Sequence, residues 1–253
     1  MRKNARTWAG ALGVTLLCVS VAACEGPGKG EEKTESKAFT FSGDKLTVSA
    51  TNSDVRLRTD GTGGEVRVQR TVEGDAGKDD NSQWELSGST LNLRTECHGI
   101  SISCAARYTV TLPENLAVSL TSNNGSVDSV GLTQSQEIES SNAAVKIEKA
   151  SGDVSLKVRD GNTEAIGISA GQLTAETRNG RLKVVFTEPP RKVTAGTENG
   201  NVNVTLPPGE DRYQIRVNAE NGRSDSSVKN SPGAERSIDV RSNNGSARID
   251  QAD

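Results

Sequence analysis

Thr197-Glu198-Asn199-Gly200-Asn201-Val202-Asn203-Val204 carries the pattern that decides the fold: a turn dipeptide with alternating apolar residues behind it. Equivalent corners stand at Asn124-Gly125, Asn142-Ala143, Asp160-Gly161, Asn179-Gly180, Asn199-Gly200, Asn221-Gly222 and Asn244-Gly245. They are spaced 18, 18, 19, 20, 22 and 23 residues apart. A near-constant period of this size marks stacked repeats, in which each unit buries its apolar face only against its neighbours.

Counting from the corner, apolar or small residues fall at −6, −4, −2, +3 and +5. Around Asn179 these are Leu173, Ala175, Thr177, Leu182 and Val184; around Asn244 they are Ile238, Val240, Ser242, Ala247 and Ile249. The earliest copy surrounds Asn52, with Leu46, Val48, Ala50, Val55 and Leu57. Alternation with period two on both arms predicts two strands per unit, each with one buried and one wet face. Gly, and Asn or Asp less readily, tolerates the positive φ of a tight bend, so Ala143 is expected to be the least comfortable corner. A second set of bends lies between: Gly131, Gly152, Gly171, Pro189-Pro190, Pro208-Gly209 and Pro232-Gly233. No stretch has a useful 3.6-residue apolar period, so helix is not expected beyond the leader.

Two architectures satisfy this pattern, an antiparallel meander of hairpins and a β-solenoid with parallel stacking. The wet +4 positions favour the solenoid: Asp128, Lys146, Glu164, Lys183, Asn203, Asp225 and Arg248 never place like charges next to each other. The −3 column behaves the same way. The −1 column does not, since Arg159 precedes Arg178 and Glu198 precedes Glu220. Stacked corner asparagines are also expected to form an amide ladder. The expected fold is all-β: a repeat solenoid over 118–253 behind an irregular β-rich unit over 39–117. Within that unit Trp84-Leu86 and Leu91-Leu93 flank Ser87-Gly88-Ser89 as a hairpin, and Tyr108-Val110-Leu112 is a strand ended by Pro113.

The start of the chain is of another kind. Arg2, Lys3 and Arg6 precede an uncharged apolar run over 8–21, too short to span a bilayer comfortably, and Val21-Ala22-Ala23-Cys24 resembles a bacterial lipobox. Residues 1–23 therefore read as a lipoprotein signal peptide and Cys24 as the lipidated residue. The membrane is then the first partner, and the location is the extracytoplasmic face. Residues 24–38, rich in Gly, Glu, Lys, Ser and Thr, read as a disordered tether. The leader holds three of the chain's 30 Lys+Arg and none of its 33 Asp+Glu, leaving the rest at −6 with the acidity spread along it. That balance excludes a basic nucleic-acid interface.

Removing Cys18 with the leader and assigning Cys24 to lipid leaves Cys97 and Cys104, an even pair that reads as a disulfide in an exported protein. A metal site there would use His98, the single histidine, and lacks a fourth ligand, so no metal or cofactor is expected. No Gly-x-Ser-x-Gly elbow occurs and His98 is the one candidate base, so no catalytic residue is assigned. Asp128, Asp153 and Asp160 imitate the acidic cluster of a polysaccharide-cleaving β-helix, but each lies near a turn, where Asp is common.

The recurring Ser/Thr-x-Asn-Gly-x-Val-x-Val units behind a lipobox resemble the bacterial "putative adhesin" family of β-strand-repeat proteins, whose molecular function is unassigned. The motifs that carry the resemblance are Asn52-Ser53-Asp54-Val55, Asn124-Gly125-Ser126-Val127, Asn179-Gly180-Arg181-Leu182 and Asn199-Gly200-Asn201-Val202. The resemblance covers roughly 40–250 and implies a fold and a surface location without active-site residues. The expected role is a noncatalytic surface module for adhesion, envelope structure or protein interaction. The alternatives are a carbohydrate-active enzyme on a β-helix and an envelope-stress accessory or sensor. The last strand, Ala247-Arg248-Ile249, is expected to lie uncovered at the end of the stack and to invite a further strand.

Overall fold

The computed structural model describes residues 32–253 apart from 60–63, 79 and 99–102. The signal peptide expected over 1–23, the lipidation site at Cys24 and most of the expected tether lie outside the described residues. The part of that tether within them, 32–38, is ordered: it opens strand β1 (Glu32–Thr40).

Two-strand coils make up the rest. The first is β2 (Lys45–Thr51) with β3 (Asp54–Thr59). After β4 (Glu65–Gly74), a 3-10 turn at Asp75–Gly77 and β5 (Ser82–Ser87), the next is β6 (Thr90–Thr95) with β7 (Cys104–Leu112). Then follow β8 (Ala117–Asn123) with β9 (Val127–Val130), β10 (Gln136–Asn142) with β11 (Val145–Glu148), and β12 (Val154–Asp160) with β13 (Thr163–Ile168). The last four are β14 (Gln172–Asn179) with β15 (Leu182–Phe186), β16 (Lys192–Asn199) with β17 (Val202–Leu206), β18 (Tyr213–Asn221) with β19 (Ser224–Ser226), and β20 (Arg236–Asn244) with β21 (Ala247–Gln251).

Coil neighbours pair in parallel, so the chain is a β-solenoid and not a meander. One sheet runs β1-β4-β7-β3-β9-β11-β13-β15-β17-β21-β19; the other runs β18-β20-β16-β14-β12-β10-β8-β2-β6-β5. The apolar positions become columns between the sheets. In the second sheet the −4 column from Val48 to Val240 reads Val48, Leu120, Ile138, Leu156, Ala175, Ala195 and Val240, each of them buried. Full burial of each aliphatic chain stabilises by about 1.5–3 kcal/mol.

Coil order departs from chain order at both ends. The coil of β6 and β7 stacks outside that of β2 and β3, so this part of the expected irregular insert is a regular rung in parallel register. Among the described residues the antiparallel pairs are β1–β4, β4–β7 and β5–β6. At the other end β20 and β21 slot between β16–β17 and β18–β19. The expectation that Ala247-Arg248-Ile249 is an open end is therefore wrong: that strand has a neighbour on each side.

Burial explains the order. The inward residues Ile238, Val240, Ala247 and Ile249 are suited to an interior rung and are at most 1 % exposed. The coil left outside has Ser224 and Ser226 on its short arm, and its Val217 and Ala219 are half-exposed. Skipping a rung needs about 4.8 Å more reach, which the longer corner spacings of 22 and 23 residues provide.

Candidate interaction surfaces

The predicted corner residues form a single file along the stack. Asn124 Nδ2 donates to Asn52 Oδ1 at 3.1 Å, Asn142 to Asn124 at 3.0 Å, Asn179 to Asp160 at 2.6 Å and Asn199 to Asn179 at 2.8 Å. Asn244 continues to Asn199 at 2.9 Å and Asn221 to Asn244 at 3.1 Å. Every amide donates toward the N-terminal end. Between Asn142 and Asp160, which are register neighbours, the ladder is broken, because a carboxylate has no proton to pass on.

The corner glycines serve a purpose beyond tight bending. Gly125, Gly161, Gly180, Gly200 and Gly245 have φ between 144° and 156°, and a Cβ on any of them would meet the preceding corner's carbonyl oxygen at 1.9–2.2 Å. Gly222 meets the same obstruction from Gly245 without the positive φ. The asparagines mostly do not take positive φ; only Asn52 and Asn124 do, so the others are selected for their amides. At Ala143 the backbone has no positive φ, which relieves the discomfort expected there. Just inside some bends, buried hydroxyls satisfy corner carbonyls: Ser122 donates to Gly125 at 3.1 Å and Ser242 to Gly200 at 2.9 Å.

True coil order sharpens the wet columns. The +4 column now reads Arg56, Asp128, Lys146, Glu164, Lys183, Asn203, Arg248 and Asp225, alternating in sign at every charged step. Arg56 Nη2 lies 3.0 Å from Asp128, and Arg248 bonds Asp250 at 2.7 Å with Asp225 at 4.0 Å. Bonding to Glu148 raises the Lys146 ammonium above its ordinary pKa, with Asp128 and Glu164 adding to the effect. On the other sheet Lys45 holds the Glu137 carboxyl below its ordinary value, at 3.0 Å. In the −1 column Asn243, on β20, stands between Glu198 and Glu220, which removes one of the two like-charge contacts; Arg178 meets Glu198 at 3.1 Å.

Two shallow grooves follow these columns. One, of about 570 Å³, is lined by Arg56, Arg107, Asp128, Lys146 and Glu164; the other, of about 350 Å³, by Lys45, Glu137, Asp153 and Gln172. The acidic trio does not converge. Asp128 pairs Arg56, Asp153 accepts from the Gln172 backbone and amide at 3.2 Å each, and Asp160 sits in the ladder. Cys97 and Cys104 form a disulfide with Cα atoms 6.2 Å apart, beside exposed His98. Among the described residues no three His, Cys, Asp or Glu side chains gather to hold a metal.

Sequence reasoning missed one cluster, at the N-terminal end of the stack. Arg70 occupies an inward position in Val66-x-Val68-x-Arg70-x-Val72, an interruption legible in the alternation. Its guanidinium lies 4.9 Å from the Trp84 ring centre, bonds the Ser82 carbonyl at 2.6 Å and pairs with Glu35. Lys37 lies 5.9 Å from the same ring. Lys33, by a direct hydrogen bond at 2.8 Å, and Arg70 hold the Glu35 carboxyl below its ordinary pKa. Tyr108 reaches the Gln83 carbonyl with its hydroxyl at 3.2 Å, and burial raises its pKa. Together these residues plug that end of the core.

Comparison with known proteins agrees with this architecture. The family model described as Toastrack DUF4097 matches residues 44–251. No curated protein matches. Similar solved structures include a "putative adhesin" from Bacteroides fragilis, at 16% identity and TM-score 0.49, covering 87% of this chain and 97% of that one. Another is a "putative cell adhesion protein" from Clostridium sporogenes, at 11% identity and TM-score 0.40, covering 88% and 100%. A third is a "putative adhesin" from Parabacteroides merdae, at 10% identity and TM-score 0.31, covering 88% and 98%. Matched over most of its length, with its repeats stacked as described, the chain belongs to the Toastrack DUF4097 family.

Proposed function

We propose that this protein is a lipid-anchored extracytoplasmic lipoprotein whose stack is a noncatalytic module for adhesion or protein interaction at the cell envelope. The observation that carries the noncatalytic reading is the fate of its carboxylates. Asp128, Asp153 and Asp160 each serve a different rung contact, so none is free to act as one of a pair of acid–base catalysts. What remains for a partner is a rigid wall of alternating charge with shallow grooves, which suits protein or polymer contact better than a small substrate. The lipobox at Val21-Ala22-Ala23-Cys24 supports the anchor, because acylation of Cys24 adds about 0.8 kcal/mol per buried CH₂.

Detergent phase partitioning of the full chain and of Cys24→Ala tests the anchor. The native chain enters the detergent phase and the variant the aqueous phase; equal partitioning of both refutes lipidation. Proximity labelling from intact cells tests the role: the native protein should label a defined envelope partner, whereas labelling of no surface component refutes an interaction module.

A further inference from the structure

The two ends of the stack are not alike. At the N-terminal end the core is closed by Trp84 under Arg70 and Lys37. At the other end β18 has no strand beyond it among the described residues, and the inward-facing Val217 and Ala219 behind it are half-exposed. A long edge strand with apolar residues behind it is a template for pairing.

Most of that edge is already guarded. Asn230 Oδ1 accepts the Ile215 N–H at 2.9 Å, and the Ser231 N–H donates to the Tyr213 carbonyl at 2.8 Å, covering the start of β18. The chain turns away at the Asn221-Gly222 corner. The open stretch is therefore 216–220, where the outward-directed backbone groups belong to Val217 and Ala219. The Ala219 N–H is held only by Ser224 Oγ at 2.7 Å.

Charge on this stretch selects the occupant. Arg216 and Glu220 point to solvent with no ion pair among the described residues, while Asp239, the register partner of Arg216 on β20, is taken by Arg241 at 2.7 and 2.9 Å. We propose that a second copy of this chain pairs here, β18 running antiparallel to its counterpart about a two-fold axis at Asn218. That register lays the open stretch on itself and sets Arg216 opposite Glu220 twice. Val217 and Ala219 exchange backbone hydrogen bonds across the axis, Ser224 giving up its hold. The half-exposed inward residues of both copies then continue one core. An isologous contact of this kind closes as a dimer, and head-to-tail stacking is opposed by the plug at the other end. The inference does not depend on the proposed role at the envelope.

Asn218 would face its own counterpart as a non-hydrogen-bonded pair, with Cα atoms about 4.5 Å apart, within disulfide reach. The full chain carrying Asn218→Cys is oxidised in intact cells and run without reductant, beside Thr121→Cys. Thr121 is equally exposed but mid-sheet, between two paired strands. Asn218→Cys should double in mass and Thr121→Cys should not. Adding Arg216→Glu should lower the cross-linked fraction, with about a tenfold weaker dimer, and Arg216→Glu with Glu220→Arg should restore it. Equal cross-linking at both cysteines, no response to the charge changes, or cross-linking of Asn218→Cys to a different protein each overturns self-pairing.

Discussion

Gly200→Ala tests the stacking most directly. The new Cβ would lie 2.0 Å from the Gly180 carbonyl oxygen and 2.7 Å from its carbon, where ordinary contacts begin at 3.4 Å. Relief by movement alone requires the corner to retreat by about 1.4 Å, the difference between those limits. The bonds that span this gap cannot stretch so far: Gly180 N–H to the Asn199 carbonyl at 2.9 Å, Leu182 N–H to the Asn201 carbonyl at 2.9 Å, and the Asn199–Asn179 amide step at 2.8 Å. Each lost bond costs about 0.5–1.5 kcal/mol, and an alanine held at φ 148° costs about 1–3 kcal/mol more. The expected destabilisation is about 3–5 kcal/mol, a large fraction of the roughly 5–15 kcal/mol that holds a domain folded. Equilibrium urea unfolding followed by far-UV circular dichroism measures it. Gly64→Ala, with nothing within 4 Å of its new methyl, should stay within about 0.5 kcal/mol of native. A Gly200→Ala cost below about 1 kcal/mol would refute the reasoning, because it would mean that the corner passes freely into the backbone used at Ala143.

Other predictions follow from single contacts. Asp160→Asn supplies the missing donor to Asn142 and should stabilise by up to about 1 kcal/mol in the same assay, less what the Asn179 bond loses with the charge; destabilisation would sink the ladder account. Ser129 donates to Gln136 at 2.6 Å in the core while Gln136 Nε2 has no partner. Ser129→Ala alone should therefore cost about 1–3 kcal/mol, and Ser129→Ala with Gln136→Leu should be near neutral; equal losses would contradict this. Because Lys33 and Arg70 depress the Glu35 pKa, its contribution is complete above the ordinary carboxylate pKa and fades as pH falls through the lowered one. Protection factors of the β1 amides, referred to the intrinsic exchange rate at each pH, should fall across that acid window in native protein, and Glu35→Gln should abolish that fall.

Much of this architecture can be read from the residues alone. Alternation around Asn179 and Asn199 defines both strands of a rung, and the amides and glycines define where rungs bend. Sign alternation from Asp128 to Lys183 even identifies parallel stacking, since like charges cannot sit 4.8 Å apart along a column without cost. Those features are local or periodic, so they survive in one dimension.

Neighbour identity does not. A period-two pattern fits any rung above or below it equally well, and chain order made β21 look terminal. Only the competition for interior places, won by Ile238, Val240 and Ile249 over Val217, Ser224 and Ser226, puts the last coil inside the one before it. The same holds for the plug at the other end, where Arg70, Trp84 and Glu35 meet across two sheets. Local residue pattern sets the rung; packing sets the order of the rungs and thereby which end stays open, because burial is a property of the whole stack and periodicity a property of one unit.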